Sequence, residues 1–131
     1  MAEPLLPLER AVLDFALVGE HPTLDILREQ AKSVTVVTRE FTGVGFFTRL
    51  AVDAAKPAID GRPGLAIADI DGEAADLAHG LGFVVFVEEG FLAFIEGFTI
   101  DEPWPAGLSD VALSYSTSVS SDVPTFPRPK R

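Results

Sequence analysis

Residues 83–95 read FVVFVEEGFLAFI, which is two apolar runs joined by Glu88-Glu89-Gly90. Short runs of β-branched and aromatic residues on either side of a turn that ends in glycine are typical of a β-hairpin. Consecutive side chains of a strand point to opposite faces of a sheet, and these runs are apolar at consecutive positions. The sequence therefore predicts a hairpin that needs cover on both of its faces.

Two short amphipathic helices precede the strands. Apolar residues recur at intervals of three and four from about Pro7 to Val18, and Gly19 ends that helix. Pro22 is suited to a first helical turn and begins a second helix, which runs to about Lys32. Together the two segments predict an αα-hairpin.

Strands follow the helices. The apolar period changes to two near residue 34, which predicts strands over 34–41 and 46–53 with a turn at Thr42-Gly43-Val44-Gly45. We expect a loop over 54–63 and then a third strand at Leu65–Ile70 that turns at Asp71-Gly72. Residues 74–79 fit a helical turn or a short strand, and Val111–Ser116 fits a last strand. This order predicts one α+β domain, residues 1–116, with an N-terminal αα-hairpin packed on a mainly antiparallel, strongly twisted sheet of five or six strands.

Residues 117–131 differ in composition from the rest of the chain. They are rich in Ser and Thr and then in Pro, and they contain few apolar residues. We expect them to form a flexible tail that the fold does not need.

The 131-residue chain carries a net charge of −10 and contains no cysteine. An acidic field repels phosphate backbones and anionic lipids, so we expect no binding to nucleic acid or to a membrane surface, whereas a basic protein partner would be attracted. The lack of cysteine excludes disulfides and thiolate metal sites. The first ten residues also lack the basic start and apolar run of a secretory signal. We therefore expect a cytoplasmic protein.

Motifs for catalysis and for cofactors are weak. Gly43-Val44-Gly45 precedes a strand, whereas a phosphate-binding loop begins a helix, so we interpret this segment as a turn. Residues 69–73, DIDGE, look like part of a calcium loop. Aligning Gly72 with the glycine of such a loop, however, places Ile67 and Ala78 at positions that need oxygen ligands. We interpret His21 and His79 as helix-cap or solvent-exposed groups. The sequence predicts no catalytic residue, no metal ion and no cofactor, and it leaves open whether the protein is an enzyme.

Several segments resemble a pattern of small, uncharacterised bacterial proteins. They are 39–48 (REFTGVGFFT), Gly82-Phe83-x-x-Phe86-Val87-x-x-Gly90, Glu96-Gly97-Phe98-Thr99 and Trp104-Pro105. The resemblance implies a complete bacterial domain without an assigned activity. In such a domain, Gly90 and Gly97 would be needed for the conformation of the backbone, and Trp104-Pro105 would close over the end of the sheet. As a small acidic α+β chain, the protein is also similar in style to toxin-neutralising immunity proteins.

Three functions are compatible with these features. The first, which we favour, is a protein–protein interaction or self-assembly module without enzymatic activity, because the hairpin is apolar on both sides. The second is a small-molecule-binding domain with a pocket lined by Phe47, Phe86, Phe94, Glu96 and Trp104. The third is an enzyme that uses carboxylates such as Glu96 and Asp101.

Glu96 interrupts an apolar strand. A carboxylate in such a position must face solvent or be paired, and Arg39 and Arg49 are its candidate partners.

A homodimer would cover the face of the sheet that two short helices leave open. For the hairpin, we expect Val84 and Phe94 to face the helices. Val85 and Ala93 would then face a second copy of the chain.

Overall fold

A computed structural model describes residues 3–105, 110–116, 126 and 128. These residues form two α-helices, α1 (Pro7–Ala16) and α2 (Pro22–Ala31), and six β-strands. The strands are β1 (Thr35–Phe41), β2 (Gly45–Ala51), β3 (Leu65–Glu73), β4 (Leu81–Glu88), β5 (Phe91–Thr99) and β6 (Ala112–Tyr115). They form one antiparallel sheet in the order β1-β2-β5-β4-β3-β6. The predicted α+β class, with two helices before a six-stranded sheet, is confirmed.

The predicted hairpin of β4 and β5 lies in the middle of the sheet. Its two-residue turn consists of Glu89 and Gly90, whose φ angles are 55° and 80°. A turn with positive φ at both central residues matches the right-handed twist of the strands that it joins. Glycine adopts positive φ readily, so Gly90 is the local feature that made this hairpin predictable from the sequence.

Both helices pack on one face of the sheet, which we call the inner face. The side chains of Phe83, Val85 and Ile95 on this face are almost completely buried and belong to the same core cluster as Leu13 of α1 and Leu24 of α2. Neither of the described helices is long and apolar enough to cross a membrane.

The predicted orientation of the hairpin was wrong. Val85 and Ala93 are buried, whereas Val84 and Phe94 lie on the opposite face and are only partly buried. Ala93 is the extra residue of a β-bulge, because Phe86 pairs with Phe94 while the next residue of β4 pairs with Leu92. Val84 and Phe94 do share a face, as expected, but it is the face away from the helices. Because both faces of the hairpin are apolar, the sequence pattern does not show which of them the helices cover.

The third strand is longer than predicted. β3 continues through Asp71 and Gly72, where we expected a turn, because Gly72 pairs with Leu81 of β4 and with Leu113 of β6. A Cβ atom at Gly72 would lie 2.8 Å from Cγ1 of Val111, so the close packing of this strand requires glycine. The chain turns over residues 74–80 instead.

Glu9 is a buried carboxylate that joins α1 to the sheet. Its Oε1 accepts hydrogen bonds from the Leu6 N–H at 2.7 Å and from Nη2 of Arg39 at 2.8 Å. Its Oε2 accepts from Nε of Arg39 at 2.8 Å and from the Thr48 hydroxyl at 2.5 Å. Burial alone raises the pKa of Glu9, but these hydrogen bonds and the Arg39 charge outweigh it and lower this pKa below its ordinary value. The network fixes α1 over β1 and β2.

Gln30 has a similar role for α2. Its side chain is fully buried, and its Nε2 donates to the carbonyl oxygens of Pro57 and Gly90, both at 2.9 Å. Its Oε1 accepts from the Leu92 N–H at 2.9 Å. One amide thus satisfies three backbone groups and joins α2 to the turn of the β4–β5 hairpin.

The predicted tail, 117–131, lies outside the described residues except at positions 126 and 128. Arg128 donates two hydrogen bonds to the Asp69 carboxylate, at 2.9 and 3.0 Å, and two to the carbonyl oxygens of Ala16 and Val18, both at 2.7 Å. The Asp69 and Arg128 side chains are 6% and 10% exposed. Arg128 therefore forms a nearly buried ion pair that also binds the carboxyl end of α1.

Replacing Glu9 with Gln should lower the free energy of unfolding by about 2–4 kcal/mol at neutral pH, because the buried hydrogen bonds lose their charge. Urea denaturation measures this change. The folded-state pKa of Glu9 is lowered, so its contribution is present above the ordinary value of 4.5 and is lost as the pH falls through the folded-state value. Between 4.5 and the folded-state pKa, the stability of Glu9→Gln should therefore depend less on pH than the stability of the wild type.

Glu3→Gln is the matched control, since Glu3 also binds Arg39, at 2.9 Å, but is 65% exposed. An exposed ion pair contributes about 1 kcal/mol or less. Equal effects of the two substitutions would contradict the role given to Glu9.

Arg128→Ala should lower the free energy of unfolding by about 2–4 kcal/mol, because it leaves the Asp69 carboxylate buried without its cation. Arg128→Lys keeps the charge but not the paired hydrogen bonds, so its effect should be intermediate. Thermal denaturation distinguishes the variants. An unchanged melting temperature in Arg128→Ala would favour the expectation from the sequence that the fold does not need this segment.

Candidate functional site

The candidate site is the face of the sheet opposite the helices, which we call the outer face. Cross-strand pairing arranges its central side chains in two adjacent rows across β2, β5 and β4. The first row is Phe47, Glu96 and Val84, and the second is Arg49, Phe94 and Phe86. All six are at least partly accessible to solvent.

Three phenylalanines form an aromatic cluster on this face. Phe86 and Phe94 are stacked with their ring centroids 4.2 Å apart, and Phe47 lies 6.0 Å from Phe94 at an angle of 54°. Phe47 is 36% exposed, and the other two are partly buried. Beside the cluster, the ring of Phe98 lies over Gly82, where a Cβ atom would be 2.3 Å from it. The result is a continuous apolar surface in the middle of the sheet.

Two opposite charges lie within this apolar surface. Glu96 is flanked by Phe47 and Val84, and burial raises the pKa of its carboxyl group. The guanidinium of Arg49 lies 5.2 Å from the centroid of the Phe94 ring. Its nearest carboxylate oxygen is that of Glu88, at 3.8 Å.

The predicted partners of Glu96 are used elsewhere. Arg39 lies on the inner side and binds Glu9, and Arg49 turns toward Glu88. Of the two expected alternatives, Glu96 therefore meets the first: it lies on the solvent-accessible face, and neither Arg39 nor Arg49 pairs with it. Among the described residues, Glu96 has no hydrogen bond or ion pair.

Trp104 is separated from the other four predicted site residues. Its ring packs edge-on against Phe46, with the centroids 5.4 Å apart. Phe46 covers Gly97 on the inner face, where a Cβ atom would be 2.4 Å from the ring. The structure therefore brings Phe47, Phe86, Phe94 and Glu96 together on one open face and places Trp104 on the other side of the sheet.

The space between the sheet and the helices is filled by core side chains such as Phe83 and Leu13. A depression of about 440 Å³ lies instead near the turn between β3 and β4. Asp71, Glu73 and His79 are among its lining residues, and the five predicted site residues are not.

Candidate catalytic groups do not converge. Asp101 is exposed and lies two residues beyond the end of β5, whereas Glu96 lies within β5, roughly 10 Å along the strand from its last residue, Thr99. Two carboxylates so far apart do not form an acid–base pair. The described residues contain no group of three or more His, Asp or Glu that could hold a metal ion. His21 caps α2 as predicted, since its Nδ1 accepts from the Thr23 N–H at 3.1 Å.

Three members of the outer face were not predicted as site residues, and one of them, Val84, was expected to face the helices. Phe98 was noted only within a motif, and Arg49 only as a partner for Glu96. Both lie on the outer face because of their strand register, since Arg49 is opposite Phe94 and Phe98 is opposite Gly82. Once the direction of Phe94 is known, alternation along the strands identifies the other members.

Comparisons of this chain with protein-family models, with curated proteins and with solved structures found no match.

The orientation of β4 predicts effects of different size on the free energy of unfolding for two adjacent valines. Val85→Gln should lower the free energy of unfolding by about 3–5 kcal/mol, because Val85 is fully buried and an amide there has no partner. Val84→Gln should lower it by about 1 kcal/mol or less, because its side chain reaches solvent. Urea denaturation of both variants measures the difference, and the reverse order would show that the faces are misassigned.

Proposed function

We propose that this protein is a self-assembly module in which the outer faces of two copies pack together to form a homodimer. The observation that supports this function is the aromatic cluster of Phe47, Phe86 and Phe94 in the centre of a sheet whose helices lie on the other face. Contiguous apolar patches of this kind on a soluble protein mark interaction sites.

The size of the outer face fits a small specific interface. The sheet consists of five strands of seven to nine residues and the four-residue β6, about 4.8 Å apart, and presents roughly 600 Å² on each copy. Two such faces bury roughly 1,200 Å² in total, which is the lower end of the range for stable and specific complexes.

The composition of the outer face also fits an interface. Aromatic residues and arginine are enriched in the buried centres of interfaces, and lysine, aspartate and glutamate are depleted there. The two central rows contain three phenylalanines, one valine and Arg49, with Glu96 as the only acid. Glu40 of β1, opposite Phe47, and Asp71 of β3, opposite Gly82, lie outside these rows, toward the edges of the same face.

Self-assembly must overcome the net charge of −10 on each copy. At physiological ionic strength, repulsion between exposed charges is screened beyond about 8 Å, whereas the attraction between apolar faces does not weaken. The same charge would attract a basic protein partner, which is the alternative occupant of this face. A cytoplasmic location is part of the proposal, since a chain without cysteine suits a reducing compartment.

Sedimentation equilibrium at micromolar concentration and physiological ionic strength should give twice the chain mass of 14.0 kDa. Phe47→Lys should reduce this value to that of the monomer while the far-ultraviolet circular dichroism stays unchanged, because it places a charge in the centre of the interface. Phe41→Lys is the matched control: Phe41 is also an exposed aromatic residue of the β1–β2 hairpin, but it pairs with Phe46 on the inner side. This control should remain dimeric.

A wild-type chain that sediments as a monomer would overturn the proposal. A dimer that Phe41→Lys disrupts and Phe47→Lys does not would show that a different surface assembles. Monomers that form a complex only when a basic protein is added would support the alternative occupant.

A further inference from the structure

We infer that the two copies are held in one register by a reciprocal pair of ion pairs, in which Arg49 of each copy binds Glu96 of the other. This inference rests on the proposed function and adds the orientation of the two copies. It explains why two opposite charges lie within an otherwise apolar face.

Neither charge has a strong partner in the part of its own chain that the structure describes. Glu96 forms no hydrogen bond or ion pair with the described residues, and burial among apolar neighbours raises the pKa of its carboxyl group. Arg49 is 3.8 Å from Glu88, and their side chains are 54% and 56% exposed. Such an exposed pair contributes little to stability, so Arg49 is free to exchange Glu88 for a better partner.

The cross-strand register places the two charges correctly for a two-fold axis. Arg49 lies opposite Phe94, and Glu96 lies opposite Phe47. The four residues are therefore the corners of a rectangle with sides of roughly 4.8 Å and 6.8 Å, with the two charges on one diagonal. Consider a two-fold axis in the plane between the two sheets that passes over the centre of this rectangle, perpendicular to the diagonal from Arg49 to Glu96. This axis places Arg49 of each copy opposite Glu96 of the other.

The same axis positions the aromatic cluster. It runs obliquely across the sheet, close to Phe47, Phe94 and Phe86, so each ring packs near its own symmetry mate. Packed sheets are about 10 Å apart, which is a distance that an arginine and a glutamate side chain can span together. The apolar rings exclude water from the two ion pairs, which strengthens them relative to a surface pair.

Charge reversal tests this pairing. Arg49→Glu and Glu96→Arg should each weaken dimerisation by about 100-fold or more, because each places like charges in contact at two places in the homodimer. A mixture of the two variants restores both opposite-charge contacts in the heterodimer, and the double variant restores them within a homodimer. Both should dimerise within about tenfold of the wild type. Circular dichroism and thermal denaturation of each variant check that it folds.

The outcomes separate this inference from the proposed function. A wild-type chain that stays monomeric overturns both. A wild-type dimer that survives in both single variants overturns the pairing alone, as does a mixture that associates no better than the single variants. Rescue in the mixture supports the pairing even if one variant is less stable than the wild type, because heterodimer formation requires two folded chains.

Discussion

The rest of this structure depends on the cover available to its central hairpin. β4 and β5 are apolar on both faces, and each has a neighbouring strand on both sides, so neither face can be turned toward water without exposing aromatic side chains. Two helices of ten residues, each about 15 Å long, form a layer on one face only. The inner face is consequently a closed core, and the outer face is left as the surface on which an interaction can occur.

Buried polar groups fix the position of each element that covers the inner face. Glu9 joins α1 to β1 and β2, Gln30 joins α2 to the central hairpin, and Asp69 joins β3 to Arg128. Apolar contacts alone are not directional, so short helices could slide on a flat sheet without these groups. Each of the three side chains is almost completely buried and fully hydrogen-bonded, which makes its geometry specific.

Two glutamates on opposite faces of the same sheet show how the environment decides the chemistry of a side chain. Glu9 reaches the sheet from α1 and has four hydrogen-bond donors, and its pKa is lowered despite burial. Glu96 has apolar neighbours on both sides, and its pKa is raised. In the proposed dimer, Arg49 of the second copy would supply the cation that Glu96 does not have among the described residues of its own chain.

Local features of the sequence determined the elements, and tertiary contacts decided how they face one another. The helices and most of the strands were predictable because their periodicity, Pro22 and the Glu89-Gly90 turn act over a few residues. The types of residue in the candidate site were also predictable, since four of the five predicted site residues lie together on the outer face. The direction of the hairpin was not predictable, because both of its faces are apolar and only the packing of the helices decides which face becomes the core. The pairing of Glu9 with Arg39, 30 residues apart, likewise depends on the packing of a helix over a strand, and no pattern within either segment contains that information.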